Sequence, residues 1–104
     1  MNVQFKNDYL EKIFQGKAVK GKPKYSHDVC VKFKKTVLKL QSTTSFKELG
    51  KLKSLNFESL KGKLKGLYSV RVDKKYRLIL SLTEESKLVV NDFIFVYDLS
   101  NHYQ

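Results

Sequence analysis

Two neighbouring stretches of alternating apolar and polar residues place the strongest constraint on the fold of this 104-residue chain. Apolar side chains occupy every second position from Tyr68 to Val72, and again from Tyr76 to Leu82. A period of two is typical of β-strands that bury one face. Residues 73–75, Asp-Lys-Lys, predict a short polar turn between them, so we expect an antiparallel hairpin.

Both arginines of the chain, Arg71 and Arg77, lie in this hairpin. A slip of one residue in the register would move one strand's apolar side chains to the wrong face, so the arginines must share the polar face, opposite or diagonal to each other. Like charges in these positions repel. Either solvent and a carboxylate such as Glu58 offset the repulsion, or a bound phosphate does, because guanidinium groups bind phosphate oxygens in pairs.

Length and composition limit the class of protein. With 41% hydrophobic and 30% charged residues, the chain fits a single folded domain spanning residues 1–104. No apolar run approaches the ~20 residues of a membrane span and no signal-peptide pattern opens the chain, so we expect a cytoplasmic protein. Cys30 is the only cysteine and there are two histidines, so neither a zinc site nor another cofactor is predicted.

The net charge of +11 comes from 21 basic and 10 acidic residues. The lysines are scattered from Lys6 to Lys87 and predict a general positive field that favours polyanions. Nucleic acid, the ribosome, an acidic protein and an anionic membrane surface all remain open on charge alone. No basic amphipathic helix is long enough to favour the membrane, so we expect no membrane partner.

Helices are predicted before the hairpin, and strands on both sides of it. The helices are expected to start at N-cap residues Asp8, Ser26 and Ser45, with Gly50 limiting the third to about one turn. The other predicted strands are 3–5, 55–61 and 88–97, with a polar turn over 83–87 and a bulge at Asn91–Asp92. This order predicts an α+β fold with helices packed on an antiparallel sheet of about four strands. The predicted core includes Phe33, Val37, Val70, Val72, Leu78 and Leu80.

Motifs in and around the hairpin resemble those of the RelE superfamily of bacterial toxins. They are Glu58-x-x-Lys61, Leu-Lys-Gly-x-x-x-Gly-x-Tyr-Ser at 60–69, Val-Asp-x-x-Tyr-Arg-Leu-Ile at 72–79 and the terminal His102-Tyr103. Glu58 and the His-Tyr ending resemble the YoeB/Txe branch. The Leu-Lys-Gly motif and the longer N-terminal part resemble the HigB, or plasmid maintenance killer, branch.

The resemblance implies a RelE-like fold and the toxin component of a type II toxin–antitoxin system. Such toxins are mRNA interferases, metal-independent endoribonucleases that act on mRNA in the ribosomal A site. The partners implied are mRNA and the ribosome, a cognate antitoxin and, through the antitoxin complex, operator DNA. The catalytic residues implied are Glu58, Arg77, His102 and Tyr103. The residues implied for RNA and phosphate binding are Lys61, Arg71 and Tyr68.

These residue types also suit the chemistry. RNA is cut without metal when its 2′-hydroxyl attacks the adjacent phosphate, which requires a base, an acid and cations around the phosphate. Glu58 can act as the base and His102, with an unperturbed pKa of ~6.5, as the acid. The arginines and Lys61 can hold the phosphate charge, and the tyrosines can stack on a base.

Simpler interpretations remain for each residue. Glu58 fits a solvated surface carboxylate, His102 and Tyr103 fit a frayed terminus, Tyr68 fits core packing and Lys61 is one of many lysines. Two other functions also fit the sequence. One is a non-catalytic basic module that binds RNA or ribosomes, and the other is an antitoxin-binding protein that acts in operator regulation.

Overall fold

The computed structural model of the chain describes residues 1–84 and 92–100. Three helices precede a group of four strands, and the first strand comes before them all. The elements are β1 (Asn2–Phe5), α1 (Asp8–Phe14), α2 (His27–Ser42), α3 (Phe46–Lys51), β2 (Glu58–Ser59), β3 (Tyr68–Arg71), β4 (Arg77–Glu84) and β5 (Asp92–Ser100). Short 3₁₀ turns at Lys53–Leu55 and Gly62–Leu64 flank β2. The predicted α+β class is confirmed.

The sheet has five strands in the order β1-β5-β4-β3-β2, one more than the sequence predicts. Its β2–β3, β3–β4 and β4–β5 pairs are antiparallel, as expected. The β1–β5 pair is parallel, so the antiparallel pairing that the sequence predicts holds for the other three pairs but not for the first strand. Parallel strands need a crossover connection, and here the helices and three other strands lie between the two in sequence.

The hairpin of β3 and β4 adopts the register that the alternation requires. Val70 pairs with Leu78, and Arg71 pairs directly with Arg77. The turn depends on Asp73, whose Oδ1 accepts hydrogen bonds from the backbone N–H groups of Lys75 at 2.8 Å and Tyr76 at 2.7 Å. An aspartate that bonds to the backbone two residues further on forms a turn without glycine.

The core lies between the helices and one face of the sheet. Phe33 and Val37 of α2 are fully buried, as are Val70, Leu78 and Leu80 of the hairpin. The predicted core is confirmed for these five residues. Val72 differs, because it is only partly buried at the end of the hairpin and packs against the edge of the core.

The helix starts agree only partly with the predicted caps. Ser26 caps α2 as predicted, with its Oγ accepting from the N–H of Val29 at 3.2 Å. The cap of α1 is Asn7 rather than Asp8, since the Asn7 side chain accepts from the N–H of Leu10. At α3 the Ser45 side chain makes no cap bond. The N-cap of α1 is therefore one residue earlier than predicted, whereas α3 has the predicted N-cap residue without the capping-box bond.

The predicted strand ends also moved. The strand predicted over 55–61 is reduced to Glu58–Ser59. Residues 83–84, predicted as a turn, belong to β4, and β5 runs to Ser100. The bulge is at Tyr97, because Ile79 pairs with Asp98 and Leu80 pairs with Val96. Asn91, half of the predicted bulge, lies outside the described residues. Within the described part of the chain, no helix has the length and apolar character needed to span a membrane.

Candidate functional site

The candidate site lies on the sheet face that points away from the helices. Arg71 pairs with Arg77 across β3 and β4, and Glu58 pairs with Ser69 across β2 and β3. Side chains two residues apart on a strand share a face, so Ser69 and Arg71 point to the same side. The three strands therefore bring the carboxylate and both arginines together on one face.

Arg77 is buried on this face, with only 2% of its surface exposed. Its Nε donates to Ser69 Oγ at 2.8 Å, and its Nη2 donates to the backbone carbonyl of Asn56. Glu58 Oε2 lies 3.9 Å from Arg77 Nη2, and the Glu58 side chain is 48% exposed. The alternation predicts both arginines on the polar face of the hairpin, and Arg77 lies on that face but is buried. A buried guanidinium needs such partners because desolvating an unpaired charge is very costly.

Asn56 and Ser69 are two site residues that sequence analysis missed. Asn56 has φ 42° and ψ 57°, in the left-handed region, and it ends the 3₁₀ turn at Lys53–Leu55. That conformation directs its carbonyl to Arg77 just before β2 begins. Asn tolerates left-handed backbone better than most residues, so an Asn between a turn and a strand was the available signal.

Lys61 and Glu58 line the same open depression, which has a volume of about 740 Å³. Its other lining residues are Ser59, Gly62, Lys63 and Leu64. Gly62 has φ +65°, so the chain turns sharply after Lys61. A depression with one carboxylate and two lysines can accept an anionic ligand next to a base.

Tyr68 is not brought to this face. It alternates with Ser69, and its ring stacks on Phe57 with centroids 5.1 Å apart and an interplanar angle of 11°. Both rings are partly buried and pack against the hydrophobic core. The core-packing interpretation of Tyr68 therefore holds, and its predicted contact with RNA has no support from its position.

His102 and Tyr103 lie outside the described residues. The last described residue of β5, Ser100, pairs with Arg77. Nearby, the Tyr25 hydroxyl donates to the carbonyl of Leu99 at 2.9 Å. Burial of the Tyr25 ring, with a further contribution from Asp98, raises the pKa of its hydroxyl to about 12. The end of β5 therefore pairs with a residue of the candidate site and also accepts a hydrogen bond from the segment before α2.

No group of three or more His, Cys, Asp or Glu side chains that could hold a metal occurs within residues 1–84 and 92–100. The described site brings together a carboxylate, two guanidinium groups and the two lysines that line the adjoining depression.

A family profile described as the RelE-like toxin of the type II toxin–antitoxin system HigB matches residues 3–97. The chain belongs to this family of HigB-like toxins. It is therefore a toxin of a type II toxin–antitoxin system, as the hairpin motifs predicted. Among curated proteins, none is significantly similar in sequence.

Several solved structures share the fold. A YoeB/ParE toxin from Agrobacterium tumefaciens is 15% identical, with a TM-score of 0.56, and the match covers 99% of this chain and 100% of the other. A YoeB–YefM complex from Staphylococcus aureus is 21% identical, with a TM-score of 0.52, over 99% and 98% of the two chains. A YoeB dimer from the same organism is also 21% identical, with a TM-score of 0.53 and the same coverage. At these identities the likeness concerns the fold.

This HigB-like toxin thus combines two features that the sequence suggested. Its family is that of HigB, whereas Glu58 occupies the position at which the resemblance implies a YoeB-like glutamate. The structure places that glutamate beside a buried arginine.

Proposed function

We propose that this toxin is a metal-independent endoribonuclease that cuts mRNA by attack of the 2′-hydroxyl, on the ribosome at the A site. The observation that carries the proposal is the shared sheet face of Glu58, Arg71 and Arg77, set by two consecutive strand pairings. Lys61 lines the adjoining depression together with Glu58. A base and several cations at one place are what the reaction requires.

Glu58 is proposed as the general base. Its side chain is half exposed, so it can reach a 2′-hydroxyl, and its Oε2 lies 3.9 Å from Arg77 Nη2. Arg71 and Lys61 are exposed and are proposed to bind the phosphate oxygens. Charge that develops on the phosphate during attack is stabilised by cations already in place.

Arg77 is proposed to act mainly by holding Glu58 in place. Its bonds to Ser69 and Asn56 fix the guanidinium beneath Glu58. From there it holds the carboxylate in place and adds positive charge below the phosphate. His102 is proposed as the acid that protonates the leaving 5′-oxygen, with Tyr103 stacking on a base.

An antitoxin partner belongs to the same proposal. The toxin of the Staphylococcus aureus complex is bound to YefM, and this chain has the same fold. With a net charge of +11, the chain favours an acidic antitoxin segment laid across Arg71 and the neighbouring lysines, which would exclude RNA. Such a complex, acting in the cytoplasm, would also be the form that binds operator DNA.

The test is induced expression of the wild-type chain and of Glu58→Gln, with transcript ends mapped with and without translation. The wild type should produce new 5′-hydroxyl and 2′,3′-cyclic phosphate ends that depend on translation. Glu58→Gln should reduce them by ~10²–10⁴-fold, the usual cost of removing a general base. Asp8→Asn is the matched control, because it also neutralises an exposed carboxylate, but on α1.

The burial of Arg77 favours one rival, a non-catalytic module that binds RNA or ribosomes, because a buried arginine can be purely structural. In that case the wild type and Glu58→Gln would arrest growth equally and no new transcript ends would form. Equal numbers of new ends from both proteins would instead retain the nuclease and remove Glu58 as its base.

A further inference from the structure

A second basic cluster lies beside the site, between α2 and the end of β3. Lys32, Lys35, Thr36 and Lys39 occur at spacings of three, four and seven residues, so they line one face of α2. Together with Ser54, Arg71 and Val72 they line a cleft of about 250 Å³. Apart from Arg71, none of these residues has a part in the proposed cleavage.

The residues that line the cleft carry several positive charges and have few neighbouring carboxylates. Asp28 pairs with Lys32 at 3.2 Å from the preceding turn of α2. Within residues 1–84 and 92–100, no carboxylate lies within ion-pair distance of Lys35, Lys39 or Arg71. Like charges at positions i and i+4 of a helix, such as Lys35 and Lys39, destabilise it by about 0.2–0.5 kcal/mol. A bound anion would remove this repulsion, so the arrangement is suited to binding one.

The polar groups of the cleft fit an anion of phosphate size. Lys39 Nζ donates to Ser54 Oγ at 2.8 Å, which leaves the Ser54 hydroxyl proton available to a ligand. Thr36 is buried, and its hydroxyl donates to the Lys32 carbonyl at 2.9 Å, so it closes one wall. At about 250 Å³ the cleft is smaller than the ~300–1,000 Å³ of pockets that bury a whole small ligand. It can take one phosphate group but not a base as well.

Arg71 connects this cleft to the candidate site. It lines the cleft and pairs directly with Arg77, which lies next to Glu58. A single RNA strand placed for cleavage beside Glu58 would pass over Arg71 and bring its next phosphates to α2. We propose that Lys35, Lys39 and Ser54, beside Arg71 at the end of β3, form a subsite for a backbone phosphate of the RNA, away from the phosphate that is cut. The choice of RNA rests on the proposed function.

The test measures binding rather than cleavage. The protein carries Glu58→Gln so that RNA stays intact, and its affinity for a short fluorescein-labelled single-stranded RNA is measured by anisotropy over a range of salt concentrations. Lys35→Gln/Lys39→Gln removes two charges from the cleft while keeping long side chains with good helix propensity. Lys12→Gln/Lys47→Gln removes two charges from exposed positions on α1 and α3 and is the control.

Each lost phosphate contact lowers the slope of log affinity against log salt by about 0.7 for single strands, which is roughly a five-fold loss of affinity at ~0.1 M salt. The cleft variant loses the contacts to one phosphate, so it should lose roughly five-fold in affinity and about 0.7 in slope, and the control much less. Circular dichroism should show that both variants are folded.

Two outcomes overturn the subsite. In the first, the cleft and control variants change the slope equally. In the second, the cleft variant keeps its RNA affinity and loses binding to the purified cognate antitoxin, which would assign the cleft to an acidic protein segment. A third outcome separates the two proposals. If the wild-type protein cuts no RNA but the variants show the expected difference in slope, the nuclease proposal is wrong and the phosphate subsite is supported. The two failures are therefore distinguishable.

Discussion

Arg71 lies directly opposite Arg77 in the β3–β4 pair, yet Arg71 is exposed and Arg77 is buried. The two arginines differ in exposure because their side chains have different surroundings. Arg77 turns to Ser69, Asn56 and Glu58, whereas Arg71 lines the cleft against α2. The repulsion expected from the sequence is therefore offset on one side by a carboxylate and backbone oxygen. At Arg71 the same repulsion is offset by solvent or by a bound anion.

The first prediction concerns the stability of the two arginine positions. Arg77→Lys should lower the free energy of unfolding by about 2–4 kcal/mol, because one ammonium cannot bond both Ser69 Oγ and the Asn56 carbonyl, and an unmet buried group costs about 1–3 kcal/mol. Arg71→Lys should stay within about 0.5 kcal/mol of wild type, as surface changes usually do. Urea unfolding followed by circular dichroism measures both. Equal stability of the two variants would mean that the Arg77 bonds contribute nothing.

The second prediction concerns the backbone of Asn56. Asn56→Ala should destabilise the protein by about 1–2 kcal/mol, because alanine is strained at φ 42° and lacks asparagine's tolerance of that region. Asn56→Gly should be close to neutral, since glycine adopts positive φ readily. The same unfolding experiment compares the two variants. If alanine and glycine behave alike, the left-handed conformation is not needed to aim the carbonyl at Arg77.

The third prediction concerns Tyr25 at alkaline pH. Because the pKa of Tyr25 is raised to about 12 from 10.0, its folded form favours the neutral hydroxyl. The stability that this provides is complete below pH ~10 and is lost as pH rises towards ~12. Tyr25→Phe should cost about 0.5–1.5 kcal/mol at pH 7 through loss of the bond to Leu99. The gap between wild type and variant should close by about pH 12 in urea unfolding, and a gap that widens with pH would contradict the assignment.

The fourth prediction concerns the terminal pair. If His102 is the general acid, His102→Gln should reduce single-turnover RNA cleavage by ~10²–10⁴-fold. Tyr103→Phe should reduce it less, because the ring that stacks is kept. His27→Gln is the control, since it changes the other histidine, exposed at the start of α2. Full activity in His102→Gln would pass the role of acid to Tyr103 or Lys61.

Local patterns were enough to predict much of the fold. The hairpin, the sharing of one face by Arg71 and Arg77, the core positions of α2 and the Ser26 cap all follow from spacings within a few residues. These features depend on periodicity and short-range hydrogen bonds, which the sequence states directly. The family was also accessible, because its motifs are concentrated in the hairpin and just before it.

Other features depended on residues that are far apart in the sequence. The parallel pairing of β1 with β5 joins segments about ninety residues apart, and no local pattern specifies it. The position of Tyr68 also depended on context, since an aromatic ring on an apolar face can either pack or stack on a ligand. In the structure the Tyr68 ring stacks on Phe57, so it packs within the protein.

The sequence by itself determined which residues could form the site, and only the tertiary structure decided what each one does there. Arg71 and Arg77 could be placed on one face by alternation alone, whereas the position of Glu58 follows from its pairing with Ser69. The burial of Arg77 required the Asn56 carbonyl, which comes from an irregular turn with positive φ. The cleft of Arg71 required lysines from a helix more than thirty residues away. Both outcomes result from packing between distant segments, which sets the solvation and partners of a charge and is not encoded in local spacing.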